Sequence, residues 1–167
     1  MNHQPAPASA KEVHQTTIEW IHRRGINESQ IAELTLYLQK DFFPDLTLEE
    51  CLVNVEKVLE KREVQNAVLT GIQLDILAET GNLLEPLQDM IVRDESLYGI
   101  DEVLSIAILN VYGSIGLTNY GYIDRVKPGI LAKLNCKTDG AIHTFLDDLA
   151  GAIAAAAASR IAHNRHQ

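Results

Sequence analysis

An all-α fold follows from three features of the sequence. Apolar residues recur at helical spacing along almost the whole chain, helix-capping residues stand ahead of several of these runs, and no segment reads as a strand. At 167 residues the chain is about one domain long, and a domain of that size buries roughly 70% of the surface its unfolded chain exposes. We therefore expect a compact single-domain bundle of about six to eight helices around one or two buried central helices. The domain should span residues 11–163, with residues 1–10, "MNHQPAPASA", as a flexible lead that lacks the apolar core of a signal peptide.

The segment "NESQIAELTLYLQ" places Asn27 three residues before Gln30, a cap pairing, and then sets Ile31, Leu34 and Leu38 on one face. Thr47 and Glu50 repeat the device as a capping box ahead of Leu48, Leu52, Val55 and Leu59. Both segments should be surface helices with one buried stripe. A third, from about Val64 to Glu79, is apolar on more than one side. It carries Asp75 and an interior Gly71 that costs a helix about 1 kcal/mol. Gly81 should end it, and Pro86 suits the first turn of the short helix "EPLQDMIV".

From about Gly99 to Tyr112, one stripe holds Ile100, Val103, Leu104, Ala107, Ile108 and Val111, while Ile106 and Leu109 make the opposite side apolar too. A helix apolar all round is a buried one, so this helix and the one near 68–78 are expected at the centre. Gly113, Gly116 and Gly121 then make a flexible connection that fits no phosphate-loop pattern. Asp124 and Lys127 stand three apart, on one helix face, and Pro128 should end a helix begun near Leu117. "NCKTDG" at 135–140 reads as a turn. The last helix, about Ala141 to Ala162, opens with Asp147 and Asp148 and continues in a run of alanines, which allow close helix approach and have the highest helix propensity.

With 14 Lys and Arg against 23 Asp and Glu, the net charge is −9, which excludes nucleic acid as an expected partner. Cys51 and Cys136 are far apart and lack ligand-like spacing, so they are read as reduced and structural. No apolar run approaches the length of a membrane span, and the expected location is the cytoplasm.

Asp101, Glu102, Asp124, Asp147 and Asp148 all stand at or near the ends of apolar segments within the last 70 residues. Taken singly, each has an ordinary explanation. Acids in a helix's first turn gain about 0.3–1 kcal/mol from its dipole, and Asp124 with Lys127 makes an i,i+3 ion pair. If the five carboxylates converge, however, they repel one another unless a hard divalent cation compensates them. Magnesium suits this role, because it takes oxygen ligands and bridges carboxylates to phosphate, and Lys127 would supply a point charge for a phosphate oxygen.

Three segments in order, "RDESLYGIDEV" (93–103), "YIDRVKPG" (122–129) and "HTFLDDLAGAIAA" (143–155), resemble the acidic motifs of the phosphatidylglycerophosphatase A family. Asp94 precedes Asp101 by the family's seven residues, Asp124 with Lys127-Pro128 matches the second motif, and Asp147-Asp148 with Gly151 matches the third. The resemblance covers residues 93–160 and leaves residues 1–90 as a separate elaboration. The family's N-terminal Gly-Thr-x-Gly-Ser motif is not found, and familiar members are integral membrane proteins, so the chain resembles a span-lacking branch.

The resemblance implies a Mg²⁺-dependent phosphatase that converts phosphatidylglycerol phosphate, or a smaller phosphomonoester, by hydrolysis. The metal ligands would be Asp101, Glu102, Asp124, Asp147 and Asp148. Lys127 would bind phosphate and neutralise developing charge, and Asp147 is the preferred base for the attacking water. Transient contact with a membrane surface and a homo-oligomer are expected as well. A non-catalytic or regulatory metal-binding protein that retains the acidic cluster is the alternative.

Overall fold

The computed structural model describes residues 7–136 and 140–165. Among these there are nine helices and no strand: α1 (Ala10–Arg23), α2 (Glu28–Gln39), α3 (Leu48–Leu59), α4 (Arg62–Glu79), α5 (Leu87–Arg93), α6 (Ile100–Leu109), α7 (Gly113–Val126), α8 (Ile130–Leu134) and α9 (Leu146–Arg165). Residues 1–6 of the expected lead and 137–139 of the expected turn lie outside the described residues, and Ala10 already belongs to α1.

Local signals set most of the boundaries. The Asn27 side chain accepts from Gln30 N–H while the Gln30 side chain accepts from Asn27 N–H, closing a full capping box. Thr47 caps α3 by accepting from Glu50 N–H, but the Glu50 carboxylate turns instead to Arg165 at the far end of the chain. Helix α7 stops at Val126 because Pro128 cannot continue it. Helix α1 was not anticipated, although Ser9 and Glu12 form a reciprocal capping box at its start, and the short α8 was not anticipated either.

The centre of the bundle is α9. Every residue from Leu146 to Ser159 is buried, and α2, α3, α4, α6, α7 and α8 all pack against it. Small side chains make this possible, since Ala154 to Ala158 leave room for neighbours on every side. Thr35 of α2 reaches in to donate to Ala154 O at 3.3 Å, and Ser159 donates to Tyr112 O at 2.8 Å.

The expected central position of residues 100–111 is not what forms. Asp101, Ser105, Ile108 and Leu109 of α6 face inward, whereas Ile100, Val103 and Ile106 are 51%, 58% and 42% exposed. Among the described residues no element covers the outer face of α6 that carries Ile100, Val103 and Ile106. Helix α4 does lie inside, and Gly71 shows why it carries a glycine. A Cβ there would run into Leu149 Cδ1 and come within 2.9 Å of Phe145 Cβ, so the glycine lets α4 close on the start of α9.

Candidate functional site

The candidate site is built at the N-terminus of α9, where residues 140–145 lead into the helix across the ends of α1, α4 and α5. Arg24, just past α1, donates to Ile142 O at 2.6 Å and to Glu79 Oε2 at 2.8 Å, and Ile142 N–H donates to the same Glu79 oxygen. Thr144 donates to Ile91 O at 2.7 Å.

The N–H groups that open a helix have no partner within it and need outside acceptors. Here each has one. Asp75 of α4, fully buried, accepts from Phe145 N–H through Oδ1 and from Leu146 N–H through Oδ2, both at 3.0 Å. Asp147 N–H donates to His143 O, and Asp148 N–H donates to Asp147 Oδ1 at 2.8 Å. Asp147 and Asp148, both buried, thus occupy the first turn with their backbone fixed.

Lys127 joins the acids. At the end of α7 it adopts the left-handed conformation (φ 48°, ψ 53°) ahead of Pro128. Its ammonium lies 2.7 Å from Asp124 Oδ1, 2.7 Å from Asp147 Oδ2 and 3.1 Å from Asp148 Oδ1. An ammonium has three donors, and each meets a different carboxylate. No two of these oxygens can be farther apart than about twice the longest of those distances, so three acids from two helices share one small volume.

Burial pushes Asp147 and Asp148 above the ordinary carboxylate range. Lys127 pulls both down, while the Asp147 charge raises Asp148 further. Burial alone would lower the Lys127 ammonium, but the neighbouring carboxylates more than offset this and hold it well above an ordinary lysine. Asp75 is pushed up to about 8 by burial, against the opposing pull of its two backbone donors.

The remaining expected ligands fall on α6. Asp101 is buried and raised by desolvation, and its Oδ1 has no hydrogen-bond partner among the described residues. Glu102 is exposed. Asp94, the left-handed C-cap of α5, repels both Asp101 and Asp147. Ser105 Oγ and Tyr120 Oη are also buried and make no close hydrogen bond among the described residues, although Ser105 acts on the Tyr120 hydroxyl; burial raises that hydroxyl, and the Asp148 and Asp124 charges raise it further.

Among the described residues no three Asp, Glu, His or Cys side chains are already arranged around a common point as ligands. The space between Asp124, Asp147 and Asp148 is taken by Lys127 Nζ. Asp75 escaped the sequence reading because its partners are the amides of Phe145 and Leu146, about 70 residues away along the chain. The clue within reach was an aspartate inside an apolar helix.

The site and fold define an all-helical domain with an acid–lysine cluster at the head of its central helix. The chain belongs to the phosphatidylglycerophosphatase A family, which it matches over residues 17–163. That match reaches well ahead of residue 93, so residues 17–92 are part of the family unit and not a separate elaboration. The uncharacterized Bacillus subtilis protein YutG is 65% identical over 144 residues, covering 86% of this chain and 87% of its own. The crystal structure of low temperature requirement C protein from Listeria monocytogenes superposes with a TM-score of 0.93 at 60% identity, covering 95% of this chain and all of that one. Protein ypjQ from Bacillus subtilis superposes with a TM-score of 0.92 at 50% identity, covering 95% and 98%. Among the described residues no helix is long and apolar enough to cross a membrane.

Proposed function

We propose that the chain is a Mg²⁺-dependent phosphatase of phosphomonoesters, with phosphatidylglycerol phosphate as substrate and phosphatidylglycerol as product. The observation that carries this reading is the Lys127 ammonium held by Asp124, Asp147 and Asp148, acids of two separate segments whose sequence resembles the family's motifs. The donor set suits a hard cation. It is all oxygen, it outnumbers the Lys127 ammonium, and it includes a buried Asp101 oxygen with no partner among the described residues.

Asp101, Glu102, Asp124, Asp147 and Asp148 would hold the ion, which when bound draws charge from the phosphoryl oxygens. A phosphate entering the cluster competes with the carboxylates for the three Lys127 donors, and Lys127 then neutralises charge on the phosphoryl group. Asp147, raised toward neutrality by burial, takes the proton of the attacking water. As the water oxygen bonds to phosphorus, the ester P–O bond breaks and the alcohol leaves with a proton from solvent. The exposed apolar residues of α6 support transient contact with the membrane that carries the lipid, and association of copies.

The test is phosphate release from phosphatidylglycerol phosphate and from a panel of soluble phosphomonoesters, with Mg²⁺ and with EDTA. Native chain and Asp147→Asn are compared. The proposal requires metal-dependent release by the native chain and its loss in Asp147→Asn; equal, metal-independent rates in both proteins refute it.

A further inference from the structure

We infer that Asp75 is a positioning residue for the acid cluster: it holds the head of α9 so that Asp147 and Asp148 meet Lys127. This rests on the function proposed for the cluster and adds a residue outside the three motifs.

The geometry is that of a cap supplied from another helix. Capping groups usually come from the residue just before a helix, but α9 is preceded by Phe145, which has no side-chain acceptor. Asp75 fills the vacancy from α4, one oxygen on each of two successive amides. Both bonds fall on the residues directly ahead of Asp147, and Asp147 in turn orients Asp148 through the bond from Asp148 N–H to Asp147 Oδ1. A displacement at Phe145 and Leu146 is therefore passed to both acids.

Rigidity on the Asp75 side supports the role. Gly71, one turn earlier on α4, is in contact with Leu149 and Phe145 with no room for a Cβ, so α4 and the head of α9 cannot slide independently. The ring of Tyr98 packs edge-on against Phe145, with centroids 5.9 Å apart.

The experiment uses the full chain with Asp75→Asn and Asp75→Ala, compared at a temperature where circular dichroism shows each folded. Asp75→Asn keeps one acceptor and turns an NH₂ group toward a backbone N–H. Thr35→Ala is the control, because it removes a bond to α9 at Ala154, two turns beyond the acids. Supporting groups behind a metal or catalytic residue typically change affinity or activity by about 10- to 100-fold.

We expect Asp75→Asn to lower kcat for phosphatidylglycerol phosphate and Mg²⁺ affinity by calorimetry within that range. KM should change little, and Thr35→Ala should lose stability with kcat unchanged. Folded Asp75→Asn or Asp75→Ala with native kcat and Mg²⁺ affinity overturns the inference.

Should the native chain neither bind Mg²⁺ nor release phosphate, the functional proposal fails by itself. Positioning is then read from the ¹³C carboxyl resonances of Asp147 and Asp148. These should move in Asp75→Asn and stay in Thr35→Ala, and resonances unmoved by Asp75→Asn overturn it.

Discussion

Replacing Lys127 with methionine tests the electrostatic account of the cluster directly. Methionine keeps much of the side-chain stem and removes the charge together with its three N–H donors. In the metal-free protein that charge is shared among three carboxylates, two of them on buried residues, Asp147 and Asp148. Removing one partner of a buried ion pair costs about 3–5 kcal/mol, while the more exposed Asp124 pair adds under about 1 kcal/mol.

The loss has a ceiling, because a stranded acid can take up a proton. From an unfolded pKa near 3.9, protonation costs about 1.5 kcal/mol per acid at pH 5 and more than about 5 kcal/mol at pH 8. The folded pKa values of Asp147 and Asp148 are raised, so their protonated forms favour the native state at low pH. Lys127 contributes only while they are ionised. Its contribution is therefore present above their raised folded pKa values and fades as pH falls toward 5. Urea unfolding in EDTA should show Lys127→Met less stable than the native chain by about 3 kcal/mol at pH 9 and by about 1 kcal/mol or less at pH 5. An equal deficit at both pH values, or a variant more stable at pH 9, refutes the reasoning.

Gly71→Ala should destabilise by about 1–3 kcal/mol in urea unfolding despite alanine's higher helix propensity, because its Cβ meets Leu149 and Phe145; a stabilised variant would mean that α4 and α9 can part. Asn27→Ala removes one half of the α2 capping box and should cost about 1 kcal/mol in the same assay. Cys51 is buried, with its thiol pushed up to about 11 by desolvation, while Cys136 is exposed. A thiol reagent at pH 8 should therefore titrate one thiol in the native chain and two in denaturant.

Where a helix is specified by its neighbours in sequence, the sequence reading recovered it. The Asn27–Gln30 box, the Thr47 cap and the Pro128 stop each act within a few residues, and each appears where expected. Hydrophobicity alone does not mark the centre of the bundle. Helix α6 has the greater apolar content, yet α9 can be approached from all sides because Ala154 to Ala158 are small. The convergence of Asp124, Lys127, Asp147 and Asp148 was legible only as three motifs in order, since nothing local brings α7 to the head of α9. Asp75 is legible only as an acid inside an apolar helix, and its partners are not legible, because they are backbone amides, which every residue carries.

Burying acids at the head of a helix enclosed on every side leaves the metal-free fold with carboxylates it holds most easily when protonated. This sets a sign for the effect of a cation. Divalent binding requires ionised carboxylates, so protons compete with it, and the competition strengthens as pH falls through the raised pKa values of Asp147 and Asp148. A ligand at about 100 times its Kd stabilises by about 2.7 kcal/mol, and in a domain of this size each kcal/mol is worth about 2–4 °C in Tm. Millimolar Mg²⁺ that is saturating at pH 8 should therefore raise Tm there by about 5–10 °C and do little at pH 5. Asp124→Asn together with Asp148→Asn should abolish the rise. A Tm gain of the same size at both pH values, or one that survives in the double variant, would place the ion elsewhere on this acidic surface and leave Lys127 as the cluster's own permanent counter-ion.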